Sequence, residues 1–485
     1  MMEIDTIKEV SGLIPFGLSI FETSDVLTVK CSPGTRTYRI RTSEGIVLGD
    51  LYGIILDGWT SDHFEISGDS ILVRSAIADA RAFETEVLDP IQGTFVIHTH
   101  TGLPRRLYPD CGSTLPIVYC AHSRRAGSSA SMMLDETEYW ERFLPDRHHR
   151  LVDPVQKGGA VSWIPGTLTA HEGVARLLPN HYLDLADWTA VRFWPRPDAF
   201  AQNLSVDAAA ATVAHHLQRF MRAATKEFRV GLALTAGFDS RILLAAAREF
   251  LEEIEFFTFA PGKHRVDQIM ARKIANRLGL RHRVVSGVRA SAAEMQAWDR
   301  AVGDTIRAPV RSIYTTVRQF DYDLILSGIL GETGRGRLYR SDYATINAER
   351  PTAALVLTRM LQPLDPALLS ATETWLRDVA WLPCSAVLDL AVLELFYMPL
   401  WRPAQCADIA EMMPLVNRTI QTAFMSVPPE EKSSDTLFRK SIAMLWPETL
   451  KFPINRFGDY RDPMRLLSKL TQPKRLIPAL RKRLS

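Results

Sequence analysis

The spacing of apolar positions changes once along the chain, near residue 200. Upstream, short runs such as Tyr38-Arg-Ile-Arg41, Gly45-Ile-Val-Leu48, Thr94-Phe-Val-Ile-His98 and Pro116-Ile-Val-Tyr-Cys120 follow one another closely, with Gly and Pro between them. Such punctuation predicts packed antiparallel sheets. After Trp194-Pro-Arg-Pro197 the period lengthens. Residues 207–226 put Val213, Leu217, Phe220 and Met221 on one side, which predicts a helix. Apolar runs at 229–234, 254–259 and 323–327 then alternate with helical patterns at 240–250 and 267–278. That alternation predicts a parallel sheet with crossover helices. Beyond residue 350 almost everything reads as helix. The expected layout is an α+β antiparallel sandwich over 1–200, an α/β unit with a helical C-terminal part over 201–463, and a basic tail over 464–485.

Composition narrows the function classes. Apolar content of 46% and charged content of 23% are ordinary for a globular protein. The formal net charge of +2 speaks against a dedicated nucleic-acid binder. Cys31, Cys111, Cys120, Cys384 and Cys406 are scattered, with no C-x-x-C pair, which fits reduced thiols better than a disulfide framework or a zinc site. The opening Met-Met-Glu-Ile-Asp is acidic where a signal peptide is basic, and Ala386–Leu400 is too short and too charged to span a bilayer, so a cytoplasmic location is expected. The tail interleaves leucines with basic residues from Arg465 to Arg483. Pro473 and Pro478 interrupt it, and the expectation is packing on its own domain; membrane contact is not expected.

Two strand ends carry the candidate chemistry. Leu234-Thr-Ala-Gly-Phe-Asp-Ser-Arg241 follows one apolar run and opens a strong helix former. Ser327-Gly-Ile-Leu-Gly-Glu-Thr-Gly-Arg-Gly336 follows another. A strand, a tight turn and a helix aim free backbone N–H groups at whatever lies before the helix. Each turn adds one carboxylate, Asp239 or Glu332, and Mg²⁺ on a nucleotide takes one or two carboxylates beside phosphate and water. The plainer readings are a helix cap at Asp239 and a solvated loop acid at Glu332. Arg335, Arg337 and Arg340 stand open between a phosphate-binding role and a solvated basic loop.

These stretches resemble a known family. Leu234–Arg241 is similar to the S-G-G-x-D-S pyrophosphate loop of N-type ATP pyrophosphatases, and in particular to the synthetase domain of the asparagine synthetase family. Phe256–Phe259 resembles its adenine-binding strand. Asp267–His282 resembles its D-x-x-x-A-x-x-I-A-x-x-L-G-L-x-H helix, Ser327–Glu332 its S-G-x-G-x-D-E segment, and Trp446-Pro447-Glu448 its late Leu-Pro-Glu stretch. The resemblance spans residues 205–460. Pro90–Phe95, Arg105–Asp110 and Leu178–Leu185 resemble the family's Ntn-like glutaminase sandwich. Relatives include lasso peptide cyclases and β-lactam synthetases.

The resemblance implies ATP and Mg²⁺ as cofactors. It implies nucleotide binding by Leu234, Thr235, Ala236, Gly237, Asp239, Ser240, Thr258, Phe259, Ser327, Gly328 and Gly331, and metal binding by Asp239 and Glu332. Arg241 is expected to add positive charge. The family's first loop glycine is Ala236 here, its metal Asp is Glu332, and its late catalytic lysine falls at Asn455, with Lys451 and Arg456 as the nearby replacements. Ile329 stands where asparagine synthetase has an acid and β-lactam-forming relatives a tyrosine. Met2 and Glu3 stand where the glutaminase needs its cysteine, so a degenerate sandwich that makes no ammonia is expected. The implied reaction adenylates a substrate carboxylate and joins it to another amine, a peptide's own among the candidates, with room for a partner protein of a biosynthetic pathway. The alternative is a non-catalytic ATP-binding scaffold; sulfur transfer to tRNA is disfavoured by the missing C-x-x-C and the near-neutral charge.

Overall fold

The computed structural model describes residues 3–6, 17–23, 26–32, 34–152, 162–197, 204–260, 265–307, 315–397 and 410–463. The tail, Cys406 and Met2 lie outside the described residues.

The first half is a sandwich of two largely antiparallel sheets. One has eight strands, in the order Thr189–Arg192, His181–Asp184, Arg106–Pro109, Gly93–Thr99, Val47–Ile55, Arg36–Thr42, Ser70–Val73, Phe64–Ser67. The other has six, with Leu18–Thr23, Arg125–Gly127 and Ile117–Cys120 at its centre. Period-2 alternation explains why the strand Val47–Ile55 is apolar nearly throughout. Tyr52 pairs across with Val96, and both face the six-stranded sheet in one core with Leu18, Ile20, Val29 and Leu107. Leu51 pairs with Ile97, and both face the other way, into a second core with Val213, Leu217 and Phe220 of the helix Val206–Glu227. The central sheet is therefore covered on both faces.

The architecture changes between Arg192 and Val206, where the spacing of apolar residues changes. Packing does not break there: the core that holds Leu51 and Ile97 runs on through Leu232, Leu326, Phe424 and Phe438.

The second half is built on a five-stranded, all-parallel sheet, in the order His282–Ser286, Ile254–Ala260, Val230–Ala233, Leu324–Leu326, Ala410–Met412. Numbered along the chain, that order is third, second, first, fourth, fifth, so the topology reverses between Val230–Ala233 and Leu324–Leu326. Crevices at such reversals are where open α/β sheets bind ligands. Val230 pairs with Leu324 and Leu232 with Leu326, so the two strands end level and their loops leave side by side. The helices Phe238–Ala246 and Arg265–Leu278 make the crossovers. Among the described residues beyond 350 helices dominate, as expected, with one exception. Ala410–Met412 adds a fifth strand; three residues are too few to show a period.

Buried histidines make this fold acid-sensitive. Burial pushes His98, His171 and His181 down to about 4 and His216 to about 3. Each is neutral when folded and gains its proton readily only on unfolding. Their stabilising contribution is complete above the ordinary value of 6.5 and is lost as pH falls toward 4, at ~1.4 kcal/mol per pH unit for each group. His216 faces Gln92 Oε1 at 3.1 Å and packs edge-on against Trp59, where the long helix meets the sandwich. The urea midpoint should fall steeply from about pH 7 to about pH 5, and His216→Gln should flatten the slope. A midpoint independent of pH over that range would refute this.

Candidate functional site

The loop after Val230–Ala233 is folded largely by its own hydroxyls. Thr235 N–H donates to Ser240 Oγ at 3.0 Å, the two hydroxyls lie 2.8 Å apart, and Gly237 N–H donates to Thr235 Oγ1 at 3.1 Å. Ala236 N–H donates to Asp267 Oδ1 at 2.9 Å, from the first turn of the next crossover helix. Asp267 leads the helix motif noted in the sequence but was not among the expected site residues. Gly237 is the N-cap of Phe238–Ala246 and has no side chain to close the helix end. The amides of Phe238, Asp239 and Ser240 open the helix and have no intrahelical acceptor. They carry the positive end of the dipole, as an anion cradle requires. Asp239 lies inside the first turn and is not the cap.

The second loop is shaped around Asp239. A Cβ at Gly328 would stand 2.6 Å from the Asp239 carbonyl group, and one at Gly331 would stand 2.1 Å from Asp239 Oδ1. Gly328 faces backbone and admits no side chain, whereas a Cβ at Gly331 would have to push the Asp239 carboxylate aside. Leu330, at φ +69°, starts the short 3-10 turn Gly331–Arg335, and Gly336, at φ +59°, ends it. Thr333, fully buried, locks the turn by donating to Leu330 O at 2.7 Å. Ser327 Oγ, at the mouth of this loop, is buried without a hydrogen-bond partner.

The two predicted carboxylates come together here. Burial pushes Asp239 well above the usual carboxylate range; the Arg335 guanidinium pulls it back, and the nearby Glu332 adds to the rise. Arg335 Nη2 donates to Asp239 Oδ2 at 2.6 Å, while Asp239 Oδ1 has no partner. Arg337 Nη1 donates to Glu332 Oε1 at 3.3 Å. Arg340 belongs elsewhere, in an ion pair with Asp435 at 2.5 Å. Among the described residues no group of three or more His, Cys, Asp and Glu side chains is placed to hold a metal ion. Two neighbouring carboxylates still suit the Mg²⁺ of a bound nucleotide, which takes one or two carboxylates and completes its octahedron with phosphate and water.

Other expected residues take different places. Arg241 is the correction. It is fully buried, and its Nη1 donates to Thr449 O at 2.7 Å and Phe452 O at 3.2 Å. Two residues apart on a helix are about 200° apart, so Asp239 and Arg241 cannot face one ligand together. Arg241 is a positioning residue: it fixes the 449–452 segment, whose continuation brings Asn455 N–H to Ala236 O at 2.9 Å. Asn455, at φ +55°, thus lies against the cradle, and its Oδ1 would be 3.6 Å from a Cβ at Gly237. Arg456 is exposed immediately beyond, and Lys451 is exposed at the end of the turn Pro447–Lys451. Thr258 lies beneath the cradle: its hydroxyl donates to Leu234 O at 2.6 Å and faces His282 Nε2 at 2.9 Å. Phe259 is half-buried, with its ring centre 5.3 Å from that of Phe257.

The wedge around Asp239 is directly testable. Gly331→Ala should displace the carboxylate, lower stability by about 1–3 kcal/mol and abolish Mg²⁺-ATP binding measured by calorimetry. Unchanged melting together with unchanged affinity would show that the packing of Asp239 against Gly331 is not required.

No curated protein matches the chain. Residues 163–354 match the family model for asparagine synthase, a stretch that begins in the last strands of the sandwich and includes both loops and every strand of the parallel sheet except Ala410–Met412. That stretch of the chain is accordingly similar to the asparagine synthase family, whose members carry out ATP-dependent carbon–nitrogen ligation.

Proposed function

We propose that this protein is an AMP-forming amide synthetase: it adenylates a substrate carboxylate and couples it to an amine other than glutamine-derived ammonia. The observation that carries this reading is the level pair of loops at the sheet's reversal point, with a helix N-terminus on one and a carboxylate on each. A carboxylate oxygen attacks the α-phosphorus of ATP, the bond to the β-phosphate breaks, and pyrophosphate leaves. The amine nitrogen then attacks the acyl carbon, loses its proton, and AMP departs. The amides of residues 238–240 would neutralise the leaving pyrophosphate, and Ser327 Oγ would donate to it. Asp239 and Glu332 would hold Mg²⁺, whose contribution is charge neutralisation on the phosphates. Holding acyl group and amine together supplies roughly 7–11 kcal/mol by proximity, so no elaborate acid–base pair is needed.

The buried thiols support an amine other than glutamine-derived ammonia. Cys31, Cys111, Cys120 and Cys384 are all buried, and burial pushes Cys31 up to about 11 and Cys111 to about 12. Among the described residues none of these thiols is exposed, although hydrogen bonds from Ser123 and the nearby Arg142 and Arg125 pull Cys120 down against its burial. Ile329, half-buried in the second loop, packs against the core and would make a substrate's surroundings there apolar. A peptide closing on its own amine, or a natural-product or glycan intermediate, suits such a pocket better than aspartate. The second reading, a non-catalytic ATP-binding scaffold, is favoured by the uncharged Asn455 against the cradle.

ATP–pyrophosphate exchange with candidate acids separates the two. Exchange, and AMP with amide as products, is the expected result; nucleotide binding without exchange in the presence of the true substrate would select the scaffold. Asp239→Asn and Glu332→Gln should each slow turnover by roughly 10²-fold, about 3 kcal/mol, with the melting temperature retained. Normal turnover in both would remove the metal assignment. Incubation with glutamine should release no glutamate above a buffer control.

A further inference from the structure

Asp239 has two oxygens, and neither stands free: the side chain is 24% exposed, but one oxygen is buried and the other is held by a cation. Oδ1 is buried and packs so closely on Gly331 that a Cβ there would lie 2.1 Å away. Oδ2 is covered by Arg335 Nη2 at 2.6 Å. The second carboxylate, Glu332, is likewise accompanied by Arg337. Two carboxylates and two guanidinium groups make the cluster neutral before any ligand arrives. A divalent ion alone would add two positive charges beside two arginines, and among the described residues no third His, Cys, Asp or Glu joins the two carboxylates to hold it.

We propose that Arg335 is the counter-cation of Asp239 in the ligand-free protein. A divalent ion reaches this carboxylate only when Arg335 turns from Asp239 to a phosphate of the incoming nucleotide. Metal and nucleotide therefore bind together. The proposal rests on the reading of the site as an ATP site.

The placement of Arg335 suits this exchange. Its side chain is 14% exposed and its Nε is buried without a partner; among the described residues its hydrogen bond is the one to Asp239. Its guanidinium lies 5.5 Å from the centre of the Phe438 ring and 6.0 Å from that of Phe238, so aromatic walls guide it without holding it by hydrogen bonds. It is the last residue of the 3-10 turn, directly before Gly336 in the left-handed region. A guanidinium fork matches phosphate as well as it matches carboxylate, so it exchanges one partner for the other without losing its charge pairing. The incoming phosphates bring the negative charge that the metal and the freed arginine require.

The test uses the full chain and Mn²⁺ as the probe, followed by the loss of the free-ion signal in electron paramagnetic resonance. Wild-type protein without nucleotide should bind Mn²⁺ weakly, and a non-hydrolysable ATP analogue should tighten binding by at least about 100-fold, a coupling that must be reciprocal. Arg335→Gln should bind Mn²⁺ at least about tenfold more tightly than wild type in the absence of nucleotide. Adding Asp239→Asn should abolish that gain, which locates the ion. Arg335→Lys, which keeps the charge, should behave as wild type. The proposal is overturned if wild type and Arg335→Gln bind Mn²⁺ equally without nucleotide, or if the analogue leaves wild-type Mn²⁺ affinity unchanged while itself binding. If the analogue does not bind wild type at all, the ATP reading falls, and the nucleotide-free comparison of wild type with Arg335→Gln still decides what Arg335 does at Asp239.

Discussion

A carboxylate wedged between two missing side chains governs the second half of this molecule. Asp239 touches the loop after the neighbouring strand so closely that a Cβ at Gly328 would meet its backbone and one at Gly331 its carboxylate. That closeness requires Val230–Ala233 and Leu324–Leu326 to end level, which their register provides. It requires the second loop to turn sharply, which the left-handed backbone at Leu330 and Gly336 provides. It also puts Glu332 near Asp239, two like charges in a poorly solvated place, and so calls for cations on the spot. Arg335 and Arg337 answer that need.

The sandwich is bound to this arrangement by buried charge. Glu394, fully buried, accepts from Arg192 at 2.9 and 2.8 Å, from Asn180 at 3.0 Å and from Trp375 at 2.6 Å. Despite its burial these donors hold its carboxyl below the usual range, Arg192 foremost among them. Arg418, also buried, bridges back to Asn180 and to the carbonyls of Leu88 and Pro109. Removing one partner of such a network leaves an uncompensated charge in the core, which costs about 3–5 kcal/mol. The eight-stranded sheet is thus kept by what it supports, because its second face is core to the helix Val206–Glu227 and the helices beyond residue 350. A sandwich with no chemistry of its own would still be indispensable to the fold.

Much of this was legible because it is local or periodic. The boundary near 200, the helix Val206–Glu227 and the strand–turn–helix units all follow from apolar spacing, and the glycine-carboxylate loops follow from turn chemistry. The strand Ala410–Met412 left no trace in the sequence, since three residues paired along one edge carry no pattern. Arg241 was misplaced although helix geometry could have placed it: a residue two positions from Asp239 must point away from what Asp239 faces. Asp267 and Asn455 meet the loop from 31 and 219 positions away from Ala236 (267 − 236 and 455 − 236), and only the folded chain shows that both cap it. Long-range capping of this kind has no local signal.

The source of positive charge at the cradle can be argued from what remains. A leaving pyrophosphate needs more than backbone dipoles, and of the residues first expected to supply the charge only Arg456, exposed beside Asn455, lies near the loop. Arg241 is turned inward, Lys451 lies exposed at the end of its turn, and Asn455, the residue that does touch the loop, is neutral. Arg335 is at hydrogen-bonding distance from the carboxylate that opens the helix, and it reaches there from the second loop. A chain that carries no lysine at the late position therefore still has a cation at the crevice, on the opposite wall. Such a cation differs in one respect from a lysine on the C-terminal segment. Its resting partner is the same carboxylate that a metal requires, so the charge that would stabilise the leaving group also governs when the metal can enter.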